Sequence, residues 1–152
     1  MFSKGKEKNL VTIKIQKIDK DLKTPQYAHN GDAGLDLYSA VDCIIRPYER
    51  RKVPTGIKLA IPEGYAGFVQ PKSGLAVKKG LGLVNTPGLI DSGYRGEVCA
   101  ILINLDSKND IRIMRGDKIC QLVIQKVEHA DIQVKEVLDN TPRGENGFGS
   151  TG

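Results

Sequence analysis

The chain has 152 residues and a net charge of +5, a length that supports one domain with a single core and no need for metal or disulfide staples. No apolar run approaches the ~20 residues of a bilayer span and the opening MFSKGKEKNL has no apolar signal-peptide core, so a soluble, cytoplasmic protein with no membrane partner is expected. The charge sits mainly at the start, with seven Lys against three acids up to residue 23 and then sixteen Lys or Arg against fifteen acids; this near-neutral body without basic-aromatic interleaving excludes a nucleic-acid polymer as the expected partner.

Residues 1–10 are expected to form a disordered basic leader. Val11, Ile13 and Ile15 then alternate with polar residues, which predicts a half-buried first strand. A loop over Pro25 to Ala33 follows. Short strands are predicted over Leu35 to Tyr38, Val41 to Ile45, Lys52 to Pro54, Ile57 to Ile61 and Tyr65 to Gln70, separated by turn signals such as Pro62-Glu63-Gly64. Ser73 to Lys79 is the one helical stretch, with Ser73 as the candidate N-cap and Gly80 as its stop. Further strands are predicted over Leu81 to Asn85, Glu97 to Asn104, Ile111 to Met114, Lys118 to Val127 and Ile132 to Val137. Glu97 to Asn104 and Lys118 to Val127 are apolar on both faces, as a two-sided core or a subunit contact requires. Many short strands and almost no helix indicate an all-β domain, a jelly roll or distorted barrel, over residues 11–138. From Asp139 to Gly152 the chain is rich in Gly and small polar residues, which predicts a flexible tail. Cys43, Cys99 and Cys120 are odd in number, widely spaced and set in apolar sequence, so buried reduced thiols are expected rather than a disulfide or zinc set. His29 and His129 are too isolated to alter that.

Polar groups collect at four loop positions. Asp36 in AGLDLYS lies among apolar residues and needs a partner, either a basic side chain or water around a metal. PKSGLA places Lys72, Ser73 and Gly74 at the start of the helix, where a cation, a hydroxyl and free N–H groups suit a phosphate. GLGLVNTPGLIDSGYRGEVCAILIN is a hairpin whose elbow carries Asn85, Asp91 and Tyr94; these either satisfy their own loop, as Asx residues do in turns, or face another molecule. RGDKICQL feeds a turn into a strand with Gln121 between apolar neighbours. In the tail, Phe148 sits among glycines with no core of its own. It either anchors the tail on a neighbour or stacks on a flat ligand, with Arg143, Ser150 and Thr151 ready to meet an anion.

AGLDLYS, PKSGLA, GLIDSGYRGE, RGDKICQL and RGENGFGSTG occur in that order between Ala33 and Gly152. With these five motifs the chain resembles the trimeric dUTP diphosphatases (dUTPases), and five motifs in order on an all-β pattern are specific. The resemblance implies a jelly-roll or β-clip domain that forms a homotrimer with exchange of the C-terminal tails. It implies hydrolysis of dUTP to dUMP and pyrophosphate by water attack on the α-phosphorus, a reaction that limits uracil in DNA and supplies dUMP for thymidylate synthesis. Asp91 matches the catalytic aspartate, a general base toward the water. Asn85, the backbone of Gly88, Leu89, Ile90 and Asp91, and backbone groups of Cys99 match the uracil-reading positions. Tyr94 matches the tyrosine beneath the deoxyribose, while Lys72, Ser73, Gly74 and Gln121 match the phosphate-facing positions. Arg143, Phe148, Gly149, Ser150 and Thr151 match the closing lid over residues 139–152. Mg²⁺ is implied as the cofactor, held by triphosphate oxygens and water, with Asp36 reaching it only through water. Motifs one, two and four would come from one subunit, the hairpin from a second and the tail from a third.

One motif departs from the family's pattern. Lys72 stands where the second motif usually has Arg, which keeps the charge and loses the planar two-pronged grip; activity is expected to survive. Two other functions compete. A dCTP deaminase shares the fold but needs a Glu at the position of Ile101, and an isoleucine cannot shuttle protons. A nucleotide-binding regulator could keep the site for recognition alone, a role for which an intact Asp91 is not needed.

Overall fold

The computed structural model describes residues 10–149. Ten strands and one helix occur among them: β1 (Lys14–Lys17), β2 (Gly34–Tyr38), β3 (Cys43–Ile45), β4 (Arg50–Ala60), β5 (Tyr65–Gln70), α1 (Ser73–Lys79), β6 (Leu81–Leu83), β7 (Gly88–Ile90), β8 (Glu97–Asn104), β9 (Ile111–Ile113) and β10 (Lys118–Lys126). They form two four-stranded antiparallel sheets, ordered β1-β4-β8-β6 and β2-β10-β5-β7, and the small pair β3-β9. The expected all-β domain with one short helix is therefore present, as a distorted barrel of open sheets.

One core joins these sheets. Val53, Val98, Ala100 and Leu102 from the first sheet meet Leu37, Val69, Ile119 and Leu122 from the second, with Ile45, Ile111 and Ile113 closing one end. Each fully buried Val, Leu or Ile of this kind contributes about 1.5–3 kcal/mol relative to an exposed one. β8 buries alternate residues, so Val98, Ala100 and Leu102 enter the core while Cys99, Ile101 and Ile103 lie half-buried on the opposite face. Asn104 is the polar member of the buried set, and its side chain is fully used: Nδ2 donates to Ile45 O at 2.9 Å and Asn109 O at 2.8 Å, and Oδ1 accepts from Asp106 N at 2.9 Å.

The chain departs from its sequence pattern at five places, each with a physical cause. The segments predicted on either side of Thr55-Gly56 are one eleven-residue strand, β4, which runs through them as a bulge with a register shift between Pro54 and Lys58. Gly56 takes φ +71° there, a conformation open to glycine at little cost. β7 was masked by the turn residues around it, yet it pairs with β5. Ile132 to Val137 forms no strand: Ile132 and Val134 are 80% and 94% exposed, and alternation alone makes no strand where no neighbouring strand takes its hydrogen bonds. Ser73 is not the N-cap. Lys72 occupies that position without a side-chain cap, while Gly80 stops the helix in the left-handed conformation, φ +66°, and its N–H reaches Ala76 O. Of the three thiols only Cys120 is fully buried; Cys43 is half-buried at the edge of the core, on the same face of β3 as Ile45, and Cys99 is half-buried on the face of β8 away from the core.

Candidate active site

The hairpin that the sequence announces divides its parts between two sheets. Its arms pair as β6 and β8, with Leu81 opposite Asn104 and Leu83 opposite Leu102. Its elbow swings across so that β7 pairs with β5, Gly88 opposite Val69 and Ile90 opposite Gly67. Gly67 favours this close approach, since a β-carbon there would lie only 3.3 Å from Cβ of its β7 partner Ile90, besides crowding Leu122 and Ile61. Between the elbow and the half-buried face of β8 a cavity of about 460 Å³ opens. Asn85, Gly88, Leu89, Ile90, Asp91, Tyr94 and Cys99 all line it.

Two contacts fix the cavity mouth. Tyr94 N donates to Asp91 O at 3.1 Å, closing a turn, and Tyr94 Oη donates to Glu97 O at 3.0 Å. Asp91 is exposed, so its carboxylate is open to a water molecule. Lys52, Pro54, Glu97 and Ile101 also line the cavity; none stood among the expected site residues, although Glu97 closes the third motif and Ile101 marked the position where a deaminase needs Glu. Lys52 and Pro54 enter because they stand opposite Ile101 and Cys99 across β4 and β8, a relation that strand pairing creates and local sequence does not display.

A second cluster lies where β2, β10 and the start of α1 meet. Asp36 is only 4% exposed. Lys72 Nζ donates to its Oδ1 and Lys118 Nζ lies 2.8 Å from its Oδ2. Of the two partners open to Asp36, the basic side chain is thus the one present. Burial pushes the Asp36 carboxyl up, but the hydrogen bonds from Lys118 and Lys72 outweigh it and hold the group below the usual carboxylate range. Asp36 in turn raises Lys118. Gln121 stands opposite Asp36 on β10, and its Nε2 donates to Pro71 O at 2.8 Å. That bond fixes the loop from which Lys72, Ser73 and Gly74 project, the last two exposed. Lys118 is a further residue absent from the sequence-derived set. Its signal was its place in RGDKICQL, but only the fold sets it on Asp36.

The described tail residues, up to Gly149, line neither the elbow cavity nor the Asp36 cluster. Arg143 Nε donates to Asn146 O at 3.1 Å in a local turn. Phe148 is fully exposed with φ +51°, and Gly149 follows with φ +82°. Ser150 and Thr151 lie outside the described residues. The chain therefore presents three pieces, the elbow cavity, the Asp36 cluster and the tail, which share no residue.

For a metal ion the oxygen donors are sparse. No group of three or more His, Cys, Asp or Glu suited to a metal occurs among the described residues, and each Asp36 oxygen already carries a lysine. Such a donor set fits an ion that arrives with its own phosphate oxygens and water.

The dUTPase family model matches residues 20–152. The chain belongs to the dUTPase family. It is 54% identical over 144 residues to the deoxyuridine 5'-triphosphate nucleotidohydrolase of Corynebacterium glutamicum, spanning 95% of this chain and 97% of that protein. It is 50% identical over 142 residues to the enzyme of the same name from Thermobifida fusca, spanning 93% and 79%. Among solved structures it resembles the dUTPase of Staphylococcus bacteriophage 80alpha bound to dUpNHpp, with TM-score 0.84 and 29% identity over 93% of this chain and 98% of that one. A mutant dUTPase from phage phi11 of S. aureus, described with a structural Mg(II) ion, matches with TM-score 0.76 and 26% identity over 83% and 97%. In this dUTPase-family chain the motif residues of the elbow line one cavity.

Proposed function

We propose that the chain hydrolyses dUTP to dUMP and pyrophosphate. The observation that carries this reading is the cavity at the elbow, in which an exposed carboxylate, an amide, an aromatic ring and open backbone come together in a chain of this family. Asp91 accepts a hydrogen bond from a water molecule and orients it toward the α-phosphorus. Asn85, the backbone from Gly88 to Asp91 and that of Cys99 meet the uracil edge. Fixed backbone donors and acceptors reject cytosine by leaving polar groups unpaired, and close packing of that backbone against the base edge would reject the thymine methyl. Tyr94 lies beneath the deoxyribose.

Lys72, Ser73, Gly74 and Gln121 face the phosphates. Charge neutralisation and positioning supply most of the rate in phosphoryl chemistry, and the Lys72–Asp36–Lys118 cluster carries a net positive charge suited to that task. Mg²⁺ carried by the triphosphate would add to this neutralisation, with Asp36 reaching its water shell on the lone pairs the lysines leave free.

The complete site is a homotrimer's. Three observations support this: the elbow cavity and the phosphate cluster share no residue, Phe148 is fully exposed among the described residues, and Ile132 to Leu138 exposes apolar side chains and forms no strand. A tail over residues 139–152, with Arg143, Phe148, Gly149, Ser150 and Thr151, would then close on another subunit's site and open to release product. No helix among the described residues is long and apolar enough to cross a membrane, in keeping with a cytoplasmic enzyme. The deaminase reading fails at Ile101, which lines the cavity with hydrocarbon where that chemistry needs a carboxylate.

The test is the purified protein with Mg²⁺ and each deoxynucleoside triphosphate in turn, following pyrophosphate and ammonia. Pyrophosphate from dUTP alone is expected. Ammonia from dCTP, or no turnover, would overturn the reading.

A further inference from the structure

Gly96 occupies the gap between the elbow and the start of β8. A β-carbon built on it would overlap the Tyr94 hydroxyl oxygen and lie 2.5 Å from Tyr94 Cζ and 2.9 Å from Cε2, inside the about 3.5–4 Å at which carbon atoms pack. Its φ lies outside the left-handed region, so the backbone there does not call for glycine. What the position demands is the absence of a side chain, and the group that would meet one is the Tyr94 ring.

The strand side of this contact is firmly held. Glu97 Oε1 accepts from Gly56 N at 3.0 Å, and Thr55 Oγ1, itself buried, donates to Val98 O at 2.6 Å. The ring side is free to move, because Tyr94 is 45% exposed and is pinned at its far end by one hydrogen bond, to Glu97 O. Added bulk at residue 96 therefore displaces the ring and leaves the strand in place.

We propose that Gly96 is a positioning residue for sugar selection: by lacking a side chain it lets the Tyr94 ring lie across the entry to β8, where the ring forms the wall that meets the 2′ position of the substrate sugar. The inference rests on the dUTP reading above. It concerns a residue that touches no substrate itself and acts through Tyr94. Displacing the ring opens space at the 2′ position, so the preference for a deoxyribonucleotide over its ribonucleotide falls while the fold remains.

The experiment combines a crystal structure of Gly96→Ala with kcat/KM for dUTP and UTP in the wild type, Gly96→Ala, Tyr94→Ala and the double variant. In Gly96→Ala the ring should be displaced and the dUTP-to-UTP ratio should fall about tenfold or more, the scale on which small changes of shape alter selection in a pocket. In the Tyr94→Ala background Gly96→Ala should leave the ratio unchanged. A ring in its original place, an unchanged ratio, or an equal loss without the ring would each overturn the proposal. Should Gly96→Ala fail to fold, the double variant decides: a folded double supports the steric clash with Tyr94, and an unfolded one refutes it. A wild type inert toward dUTP would sink the functional reading instead, and the ring position in the Gly96→Ala crystal would still decide the steric claim.

Discussion

Lys118 Nζ lies 2.8 Å from Asp36 Oδ2, on the opposite carboxylate oxygen from the one that Lys72 holds. One buried acid therefore organises two cations from distant parts of the chain. Asp36→Asn removes the shared partner and leaves two ammonium groups side by side. Because both lysines keep partial access to water, the loss should be about 1–3 kcal/mol, the range for a charged hydrogen-bonded group in a partly solvated site. Urea unfolding of Asp36→Asn against the wild type measures it. An unchanged midpoint would show that the cluster adds nothing to stability.

The same carboxylate sets a pH dependence. The folded-state pKa of Asp36 lies below its ordinary 3.8, so its contribution is fully present above that value and is lost as pH falls through the lower folded pKa. Acid titration of unfolding free energy should therefore fall below pH 3.8 more steeply in the wild type than in Asp36→Asn. Parallel curves would remove Asp36 from the account.

Asp91→Asn keeps the shape of the elbow and removes the oxygen that takes the water's proton. Turnover of dUTP should drop about 10²–10⁴-fold, the usual contribution of a positioned base, while dUTP still binds. Calorimetric titration with a non-hydrolysable dUTP analogue, beside pyrophosphate release, separates the two effects. Loss of binding together with turnover would assign Asp91 to recognition.

Deleting residues 143–152 removes Arg143 and Phe148 but none of the residues that line the cavity or hold Asp36. Activity should fall by at least about tenfold through loss of closure, with the oligomeric mass less the deleted residues unchanged in light scattering. A truncated protein of undiminished turnover would refute the lid.

Much of this protein was legible in its sequence because the signals are local. Alternation of apolar residues marked most of the strands, Gly80 marked the end of α1, and the sequence grouped Asn85, Asp91 and Tyr94 in one elbow, where the fold opens a cavity that all three line. What local pattern could not supply was pairing. The bulge at Gly56 made one strand of two, since a glycine that ends a strand and a glycine that bends one look alike until the partner, β8, is present. Ile132 to Val137 has the alternation of a strand and lacks the neighbour that makes one. Lys118 on Asp36, Lys52 in the cavity and the Tyr94 ring over Gly96 all arise from contacts between residues brought together by register and close packing. Chemistry was thus determined by residue type and spacing, which the chain carries along its length. The partners of each charged or aromatic group were decided only when the sheets assembled, because burial and hydrogen bonding depend on what lies across a gap.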